Sequence, residues 1–181
     1  MTVRHNNQRS KKPQSITVFC GLVITMEKTN VMRILESAKI DFTALEYEVN
    51  EDDLSGTSTA RKLGLPEEEV FKTLVLKGDK NGLFICCIPS NYEIDLKKAA
   101  KVSGNKSCEM LHVKDLLKNV GYVRGACSPV GMKKDFPAFF DENALLFEKI
   151  CISAGTKGIM LRVSPEEIIA FRNAQTAELI K

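Results

Sequence analysis

The stretch that decides the fold is Glu69-Val70-Phe71-Lys72-Thr73-Leu74-Val75-Leu76-Lys77. It ends at the polar turn Gly78-Asp79-Lys80-Asn81-Gly82, and a second apolar run follows, Leu83-Phe84-Ile85-Cys86-Cys87-Ile88. Two short apolar runs joined by a Gly- and Asn-containing turn are typical of a buried β-hairpin. Lys72 therefore lies where the first strand begins. A lysine at such a position is ordinarily a solvated charge, so its role depends on the rest of the chain.

Helices and strands are predicted on both sides of this hairpin. The clearest signal is Ser164-Pro165-Glu166-Glu167, which has a capping serine, a proline at the first helical position and a glutamate three residues after the cap. This last helix should cover Ile168, Ile169 and Phe171 against a sheet. The other predicted elements are a helix capped by Thr29 or Asn30, a strand over 42–49, a short helix opened by Ser58 or Thr59 and ended by Gly64, a helical turn after Pro66, a helix over 96–102 capped by Asp95, a strand over 108–110, a helix over 113–119, a strand and turn over 136–147, and a hairpin over 149–163.

Strands outnumber helices in this pattern and hairpins recur, which favours a mixed α/β or α+β class. With 181 residues the chain is long enough for one domain with a substantial core. We therefore expect a single domain over residues 26–181.

Residues 1–25 have a different character. A basic segment from Arg4 to Lys12 precedes the apolar run 16–25, which is too short to span a bilayer. The pattern resembles a signal peptide, but no small-x-small cleavage site follows it before Met26. We interpret residues 1–25 as a disordered N-terminal extension or a spurious start, with Met26 as the functional start. A signal peptide or a surface-packed arm is the alternative.

The charge distribution argues against a general nucleic-acid binder. The formal net charge is +3, but four of the 26 Lys and Arg residues lie in residues 1–25, which contain no Asp or Glu. The remaining 22 oppose 23 acidic residues, which leaves −1 for residues 26–181. Any contact with RNA must therefore depend on local basic patches.

The cysteines and the missing motifs narrow the chemistry. Six cysteines are present without a C-x-x-C pair, and Cys86 and Cys87 must point to opposite faces of their strand. This usage indicates a reducing compartment and argues against a disulfide framework or a metal site. Phosphate-binding loops, nucleophile elbows and metalloprotease motifs are absent, and His112 is the only histidine after residue 25. The sequence predicts no metal and no cofactor.

Two further stretches could bind a ligand. The loop Gly121-Tyr122-Val123-Arg124-Gly125-Ala126-Cys127-Ser128-Pro129-Val130-Gly131-Met132-Lys133-Lys134 is rich in small residues that allow close approach, although a structural turn would explain it as well. The helix over 96–102 carries lysines on one face and has Leu96, Ala99, Ala100 and Val102 on its apolar side. Its lysine face is either solvated or a phosphate-contacting patch.

These stretches resemble a known family. Val70-Phe71-Lys72-Thr73-Leu74, the loop 121–134 and Ile152-Ser153-Ala154-Gly155-Thr156-Lys157-Gly158 are similar, in order and spacing, to the YbaK family of aminoacyl-tRNA deacylases. These proteins are relatives of the editing domain of bacterial prolyl-tRNA synthetase. The resemblance covers the chain from Met26 onward. It implies a single domain with a central mixed, largely antiparallel sheet flanked by helices, and a cytoplasmic protein.

The resemblance also implies a function and a site. The family removes wrongly attached amino acids, chiefly cysteine, from proline tRNA, since a proline pocket cannot firmly exclude a residue of similar size. Its essential lysine falls on Lys72. The matching pocket positions are Tyr47, Thr73, Gly125, Ser128, Pro129 and Ser153. Two positions depart from the family pattern: Ser55 replaces an expected aromatic residue and Met160 an expected acid.

The family chemistry needs no protein nucleophile, because the substrate thiol is thought to attack its own ester. Lys72 would then hold the substrate and favour its thiolate, and loop amides from Gly125 to Val130 would stabilise the oxyanion. For tRNA phosphates the sequence offers Lys97, Lys98, Lys101, Arg124, Lys133 and Lys134. The partners expected are an aminoacylated tRNA end and, as a possible second, prolyl-tRNA synthetase, with no membrane and no metal.

Two alternatives stay open at this point. One is hydrolysis of Ala-tRNA(Pro) by an activated water; Thr73 resembles the cysteine branch, whereas the alanine branch tends to have asparagine there. The other is a non-catalytic tRNA- or synthetase-binding module, which the departures at Ser55 and Met160 would permit.

Overall fold

The computed structural model describes residues 27–181 and, as backbone, two strands before them, β1 (Ile16–Phe19) and β2 (Leu22–Thr25), which pair antiparallel. Apart from these two strands, the predicted extension over residues 1–25 lies outside the described residues. From residue 27 onward the elements in chain order are α1 (Asn30–Ser37), β3 (Phe42–Glu46), α2 (Gly56–Leu63), β4 (Phe71–Gly78), β5 (Gly82–Pro89), α3 (Leu96–Val102), β6 (Cys108–Met110), α4 (Val113–Val120), β7 (Ala138–Asp141), β8 (Ile150–Ser153), β9 (Ile159–Val163), α5 (Pro165–Phe171) and β10 (Gln175–Ala177), with 3-10 turns at Glu67–Glu69 and Glu142–Leu146.

The predicted hairpin forms the centre of the larger sheet. β4 and β5 pair antiparallel over their whole length, from Phe71 opposite Pro89 to Gly78 opposite Gly82. Cys86 and Cys87 belong to different hydrophobic clusters on the two faces of β5, as strand alternation requires. The hairpin prediction is confirmed.

The strands form two sheets that meet beside β4. The larger has the order β10-β7-β5-β4-β6, with β7 parallel to both β10 and β5 and the other pairs antiparallel. The smaller is antiparallel with the order β3-β9-β8. A parallel bridge between Val70 and Cys151 joins them. The mixed α/β class with a largely antiparallel arrangement is confirmed.

The main core lies between these sheets and α1. It contains Phe71 and Val75 from one face of β4, together with buried side chains from α1, β8, β9 and α5. The opposite face of β4 contributes Leu76 to a smaller cluster that α3 covers with Ala99. Each fully buried aliphatic or aromatic side chain of this kind contributes about 1.5–3 kcal/mol through loss of apolar surface from water. β4 is therefore held on both faces.

Local capping signals placed most helices correctly. The Thr29 side chain accepts a hydrogen bond from Met32 N, the Asp95 side chain from Lys97 N and Lys98 N, and the Ser164 side chain from Glu167 N. Each of these contacts satisfies an amide at the helix start that has no partner within the helix.

The helix before the hairpin begins earlier than predicted. Ser55, not Ser58 or Thr59, caps α2, because its side chain accepts a hydrogen bond from Ser58 N at 3.2 Å. The loop before it is folded by short-range bonds such as Ser55 N to Asp53 Oδ1 at 3.0 Å, which deliver Ser55 to the cap position. The predicted caps at Ser58 and Thr59 are wrong for this reason.

Other boundaries also differ. β3 ends at Glu46, short of the predicted residue 49, and the sequence pattern missed β10. Two residues predicted to be covered are open to solvent, Leu96 at 39% exposure and Phe171 at 40%. Leu96 borders a cleft that is described below.

Candidate active site

One edge of β4 is only partly covered. β5 pairs with all of β4, but β6 pairs only with Leu76–Gly78 on the other side. Among residues 27–181, no strand pairs with the first half of that edge, Phe71–Leu74, and the neighbouring Val70 forms a bridge with Cys151. Because the second sheet and the loop before β7 do not fill this space, a cleft opens beside Lys72.

The small cleft has a volume of about 180 Å³. Its wall combines β4 with the start of α2, the residue after β3, the loop after α4 and the facing ends of β8 and β9. The residues that line it are Tyr47, Gly56, Thr59, Val70, Phe71, Lys72, Thr73, Leu74, Arg124, Gly125, Cys127, Ser153 and Met160.

Lys72 has a half-buried ammonium group with defined partners. Its Nζ donates to the backbone carbonyls of Tyr92 at 2.6 Å and Ser90 at 3.1 Å. Burial lowers the pKa of Lys72, and the nearby Glu93 carboxylate opposes this shift. Lys72 is therefore not the solvated strand-end charge that its position first suggests, since part of its hydration is replaced by fixed carbonyl dipoles.

A second, large cleft of about 620 Å³ also has Lys72 in its wall. Lys72 and Leu74 line both clefts. The remaining wall of the large cleft comes from the loop before α3, the start of α3, β6 and the last residue of the chain, namely Glu93, Ile94, Asp95, Leu96, Lys97, Met110 and Lys181.

The predicted pocket positions fall into two groups. The first group, which lines the small cleft with Lys72, consists of Tyr47, Thr73, Gly125 and Ser153. Thr73 Oγ1 lies 3.6 Å from Cys87 Sγ, Tyr47 N donates to the Gly158 carbonyl at 2.9 Å, and Ser153 Oγ accepts from Gly155 N at 3.2 Å. The structure thus brings four of the six predicted pocket residues to Lys72.

Ser128 and Pro129 do not line either cleft. Both are buried, and Ser128 Oγ accepts a hydrogen bond from Val130 N at 3.3 Å. The Tyr122 hydroxyl donates to the Val130 carbonyl at 2.6 Å. This turn therefore lies behind the cleft wall, where it fixes the loop that presents Gly125.

The two departures from the family pattern have different positions. Ser55 caps α2 and is not among the cleft-lining residues. Met160 is 6% exposed, lies opposite Ser153 in the β8–β9 pair and lines the small cleft. An apolar side chain thus stands in the cleft where the family pattern has an acid.

The six predicted phosphate contacts are spread over several elements. Arg124 lines the small cleft and Lys97 the large one. Two others have ammonium groups with protein partners: Lys98 Nζ donates to Glu178 and the Ile180 carbonyl, and Lys133 Nζ to the Leu117 and Lys118 carbonyls at the end of α4. Lys101 and Lys134 are exposed.

The small cleft contains one cysteine among the described residues that line it, Cys127. Burial raises the pKa of the Cys127 thiol to about 11, so at neutral pH it is protonated and a poor nucleophile. Among residues 27–181 no cluster of three or more His, Cys, Asp or Glu side chains could hold a metal ion. No helix in the described part of the chain is long and apolar enough to cross a membrane.

Sequence reasoning missed a large part of both walls. Gly56 in the small cleft and Glu93 and Lys181 in the large cleft lie outside the motifs, and Val70 and Cys127 lie within motifs but were not predicted as pocket residues. Gly56 could have been suspected from its place after a Ser cap, but its reason is steric: a Cβ there would lie 2.4 Å from Ser90 Cβ. Only the tertiary structure shows such a contact.

Known proteins resemble this chain in sequence and in fold. Residues 53–171 match the sequence profile of the aminoacyl-tRNA editing domain family. A protein of Enterococcus faecalis, provisionally named Cys-tRNA(Pro)/Cys-tRNA(Cys) deacylase EbsC, is 47% identical over 155 residues, which are 86% of this chain and 94% of that protein. Two crystal structures share the fold. One, of a protein provisionally described as a trans-editing enzyme for prolyl-tRNA synthetase, has a TM-score of 0.72 at 24% identity and covers 83% of this chain and 96% of that one. The other, the hypothetical protein APE2540, has a TM-score of 0.76 at 20% identity and covers 83% and 99%.

Proposed function

Because this chain belongs to the aminoacyl-tRNA editing domain family, we propose that it is a trans-editing deacylase that removes cysteine from Cys-tRNA(Pro), and in addition from Cys-tRNA(Cys). The second substrate class appears in the name of the Enterococcus faecalis relative. The first substrate, Cys-tRNA(Pro), would be a mischarged tRNA released by prolyl-tRNA synthetase. The reaction would take place in the cytoplasm, where tRNAs are charged.

The observation that carries the proposal is the position of Lys72. Lys72 lines both the small cleft and the large cleft, which share Leu74 as a second wall residue. An aminoacyl ester has a small amino acid on one side and a nucleotide on the other. A cation at the junction can bind the polar groups around the ester without a metal or a cofactor.

The volume of the small cleft suits a small amino acid. About 180 Å³ is well below the roughly 300–1,000 Å³ of ordinary small-molecule sites. Val70, Leu74 and Met160 make much of the wall apolar. A side chain the size of cysteine fits this volume better than a large side chain does.

The chemical step that we propose uses the thiol of the substrate. A thiolate forms more readily near an ammonium, since opposite charge lowers a thiol pKa. The sulfur attacks the ester carbonyl, a C–S bond forms, the C–O bond to the ribose breaks, and the ribose oxygen takes up the proton lost by the thiol. The products are a cyclic thioester of cysteine and deacylated tRNA. Protonated Cys127 does not compete as a nucleophile.

The loop that follows α4 completes this proposal. Gly125 and Cys127 line the small cleft opposite β4, so their amides are candidates for donors to the oxyanion that develops on the carbonyl. Donors of this kind typically change kcat by about 10²–10³. Ser128 and Pro129 would act indirectly, by fixing the loop from behind.

For the tRNA body we propose phosphate contacts at Lys97 and Arg124, whose side chains border the clefts, with Lys101 and Lys134 farther away. Lys98 and Lys133 would have to leave their present partners to contribute. Few phosphate contacts imply modest affinity that falls as salt rises. A contribution from prolyl-tRNA synthetase as a partner would strengthen such binding.

The test is a release assay with purified protein and three charged tRNAs: Cys-tRNA(Pro), Cys-tRNA(Cys) and Ala-tRNA(Pro). We expect fast release of cysteine and slow release of alanine, since alanine has no thiol. A preference for Ala-tRNA(Pro) would favour an activated-water hydrolase instead. Binding of the charged tRNAs without release would favour a non-catalytic module, for which the apolar Met160 in the cleft would be the reason.

A further inference from the structure

We propose that the small cleft binds an acyl group whose α-nitrogen carries no charge, so that it also binds thiol-bearing acyl groups that lack the α-nitrogen altogether. The inference rests on the proposed function, because it defines the class of acyl group that the same cleft admits. Three features of the wall support it: the described lining residues include no carboxylate, they include two cations, and Met160 places an apolar side chain among them.

The missing carboxylate is the first feature. Neither Asp nor Glu occurs among the described residues that line the small cleft. Five acids on the neighbouring segments have partners of their own: Glu51 pairs with Lys157, Asp53 accepts from Ser55 N, Glu67 pairs with Arg61, Glu69 with Arg162 and Glu93 with Lys181. A substrate ammonium in the small cleft would therefore meet no carboxylate of the wall, and burial of a charge without a counter-ion is costly.

The two cations are the second feature. Lys72 and Arg124 line the small cleft, and the Glu93 carboxylate that acts on Lys72 belongs to the wall of the large cleft. The other titratable groups of the small cleft are the phenol of Tyr47 and the protonated thiol of Cys127. Because a nearby cation disfavours a second positive charge, the α-amine should enter as the free base. With the substrate thiolate, the acyl group then has one negative charge opposite the two cations.

The position of Met160 is the third feature. Met160 is 6% exposed, lies opposite Ser153 in the β8–β9 pair and packs with Ala60, Val70 and Cys151. A thioether is a polarizable apolar group and only a weak hydrogen-bond acceptor. An uncharged acyl group can therefore lie against Met160, whereas an ammonium there would lose its hydration without gaining a strong acceptor.

The test compares the binding of two RNA microhelices whose terminal adenosine carries an amide in place of the ester. One is acylated with cysteine and the other with 3-mercaptopropionate, the analogue of cysteine without the α-nitrogen. Binding to the full chain is measured at about pH 6 with a reductant present, since most α-amines are charged in solution at that pH. Wild type should bind the 3-mercaptopropionyl form at least as tightly as the cysteinyl form. Tighter binding of the cysteinyl form by wild type would overturn the proposal.

Met160→Glu should reverse this order. A carboxylate in the wall can accept a hydrogen bond from the α-ammonium, so the cysteinyl form should bind about 10-fold more tightly than the 3-mercaptopropionyl form, which is the scale of a hydrogen bond to a charged group. Met160→Gln is the matched control, because its side chain is polar and of the same length as glutamate but has no charge. It should keep the wild-type order.

Arg124→Gln provides a second variant, at an exposed residue where substitution disturbs the core little. Removal of this cation should shift the ratio about 2-fold toward the cysteinyl form, the scale of an exposed charge pair. Its control is Lys101→Gln, which removes an exposed cation that lines neither cleft and should leave the ratio unchanged. A lost phosphate contact cancels in the ratio, because both RNAs have the same phosphates. Retention of the wild-type ratio by both Met160→Glu and Arg124→Gln would overturn the assignment.

Because the amide-linked RNAs are not turned over, this proposal and the proposed function can fail separately. Release of cysteine from Cys-tRNA(Pro) by a protein that prefers the cysteinyl amide would leave the proposed function standing and remove the uncharged acyl group. The expected ratios in a protein that releases no cysteine would leave the acyl-group assignment standing and remove the deacylase.

Discussion

The two halves of β4 belong to one strand and serve different purposes. The second half, Leu76–Gly78, pairs with β5 on one side and with β6 on the other. The first half, Phe71–Leu74, pairs with β5 and borders the small cleft along its other edge. We call the second half the closed half and the first half the open half. Lys77 in the closed half is exposed, whereas Lys72 in the open half is half-buried and donates hydrogen bonds to two backbone carbonyls.

The difference shows how a sheet edge becomes a site. The pKa of a lysine shifts when its hydration is replaced by fixed dipoles, and the lysine can contact a ligand when a cavity lies beside it. Both conditions hold at Lys72 because, in the described part of the chain, no strand continues β6 past Leu76. Where β6 is present, the same strand only supports the fold, and the predictions below separate these two contributions.

The largest expected effect follows removal of the amine in the open half. Lys72→Met keeps an unbranched side chain of similar length but removes the charged end, so release of cysteine from Cys-tRNA(Pro) should fall by about 10²- to 10³-fold. Lys77→Met in the closed half is the matched control and should retain wild-type release. Similar rates for the two variants in a single-turnover assay would abolish the distinction between the two lysines.

The second-largest expected effect follows displacement of the two backbone carbonyls that accept hydrogen bonds from Lys72 Nζ. Gly56→Ala would place a Cβ 2.4 Å from Ser90 Cβ, which forces the segment that carries the Ser90 and Tyr92 carbonyls to move. A displaced amine should lower kcat by about 10- to 100-fold, measured with saturating Cys-tRNA(Pro).

A second substitution tests the cause of that effect. Ser90→Gly removes the atom with which the new Cβ collides, so Gly56→Ala combined with Ser90→Gly should recover most of the lost kcat relative to Ser90→Gly alone. Without such recovery, the effect of Gly56→Ala would come from a change in α2 or from the new methyl group in the small cleft, which Gly56 lines.

The closed half depends on a buried asparagine. Asn105 Oδ1 accepts from Lys80 N at 3.0 Å and Asn81 N at 2.8 Å, and its Nδ2 donates to Ser103 Oγ at 2.8 Å. Asn105→Ala should lower the free energy of unfolding by about 1–2 kcal/mol through loss of these bonds, measured by urea titration, with release of cysteine unchanged.

Asn119→Ala is the control for this variant. Asn119 Nδ2 makes one hydrogen bond, to the Asp115 carbonyl at 2.8 Å within α4. Loss of this bond should lower the free energy of unfolding by less than Asn105→Ala does. A strong effect of Asn105→Ala on kcat would mean that the closed half also shapes the site.

The features of the fold that depend on a few neighbouring residues could be predicted from the sequence. The hairpin, the caps at Thr29, Asp95 and Ser164 and the mixed class followed from local patterns, since turn chemistry and capping act over a few residues. The start of α2 did not, because several Ser and Thr residues in one segment can each act as a cap, and the folding of the preceding loop selects Ser55.

The candidate site could be predicted only in part. Motif resemblance located Lys72, Thr73, Gly125 and Ser153, which the structure brings to one cleft. It could not separate residues that face the cleft from Ser128, which supports the wall from behind. The sequence nominated Lys97 as a phosphate contact but did not predict the large cleft that it lines, because Leu96, Met110 and Lys181 come together only through long-range packing.

The smallest expected effect concerns the electrostatics of the open half. The Glu93 carboxylate raises the pKa of Lys72, against the lowering by burial. Glu93→Gln should therefore lower the Lys72 pKa further. If the reaction needs the ammonium, the rate declines as pH rises through this pKa, so in Glu93→Gln the alkaline decline should move to lower pH while the rate near neutral pH changes little.

Lys181→Gln supplies the matched control, because both variants break the ion pair between Glu93 and Lys181 but only one removes the carboxylate. With the carboxylate retained, the alkaline decline in Lys181→Gln should stay at the wild-type pH or move higher. A shift to lower pH in both variants would mean that the ion pair orders the segment around Tyr92, whereas a shift in Glu93→Gln alone would locate the titrating group at Lys72. The two profiles, recorded at one ionic strength because exposed charges are screened by salt, thus distinguish a charge effect from a positional one.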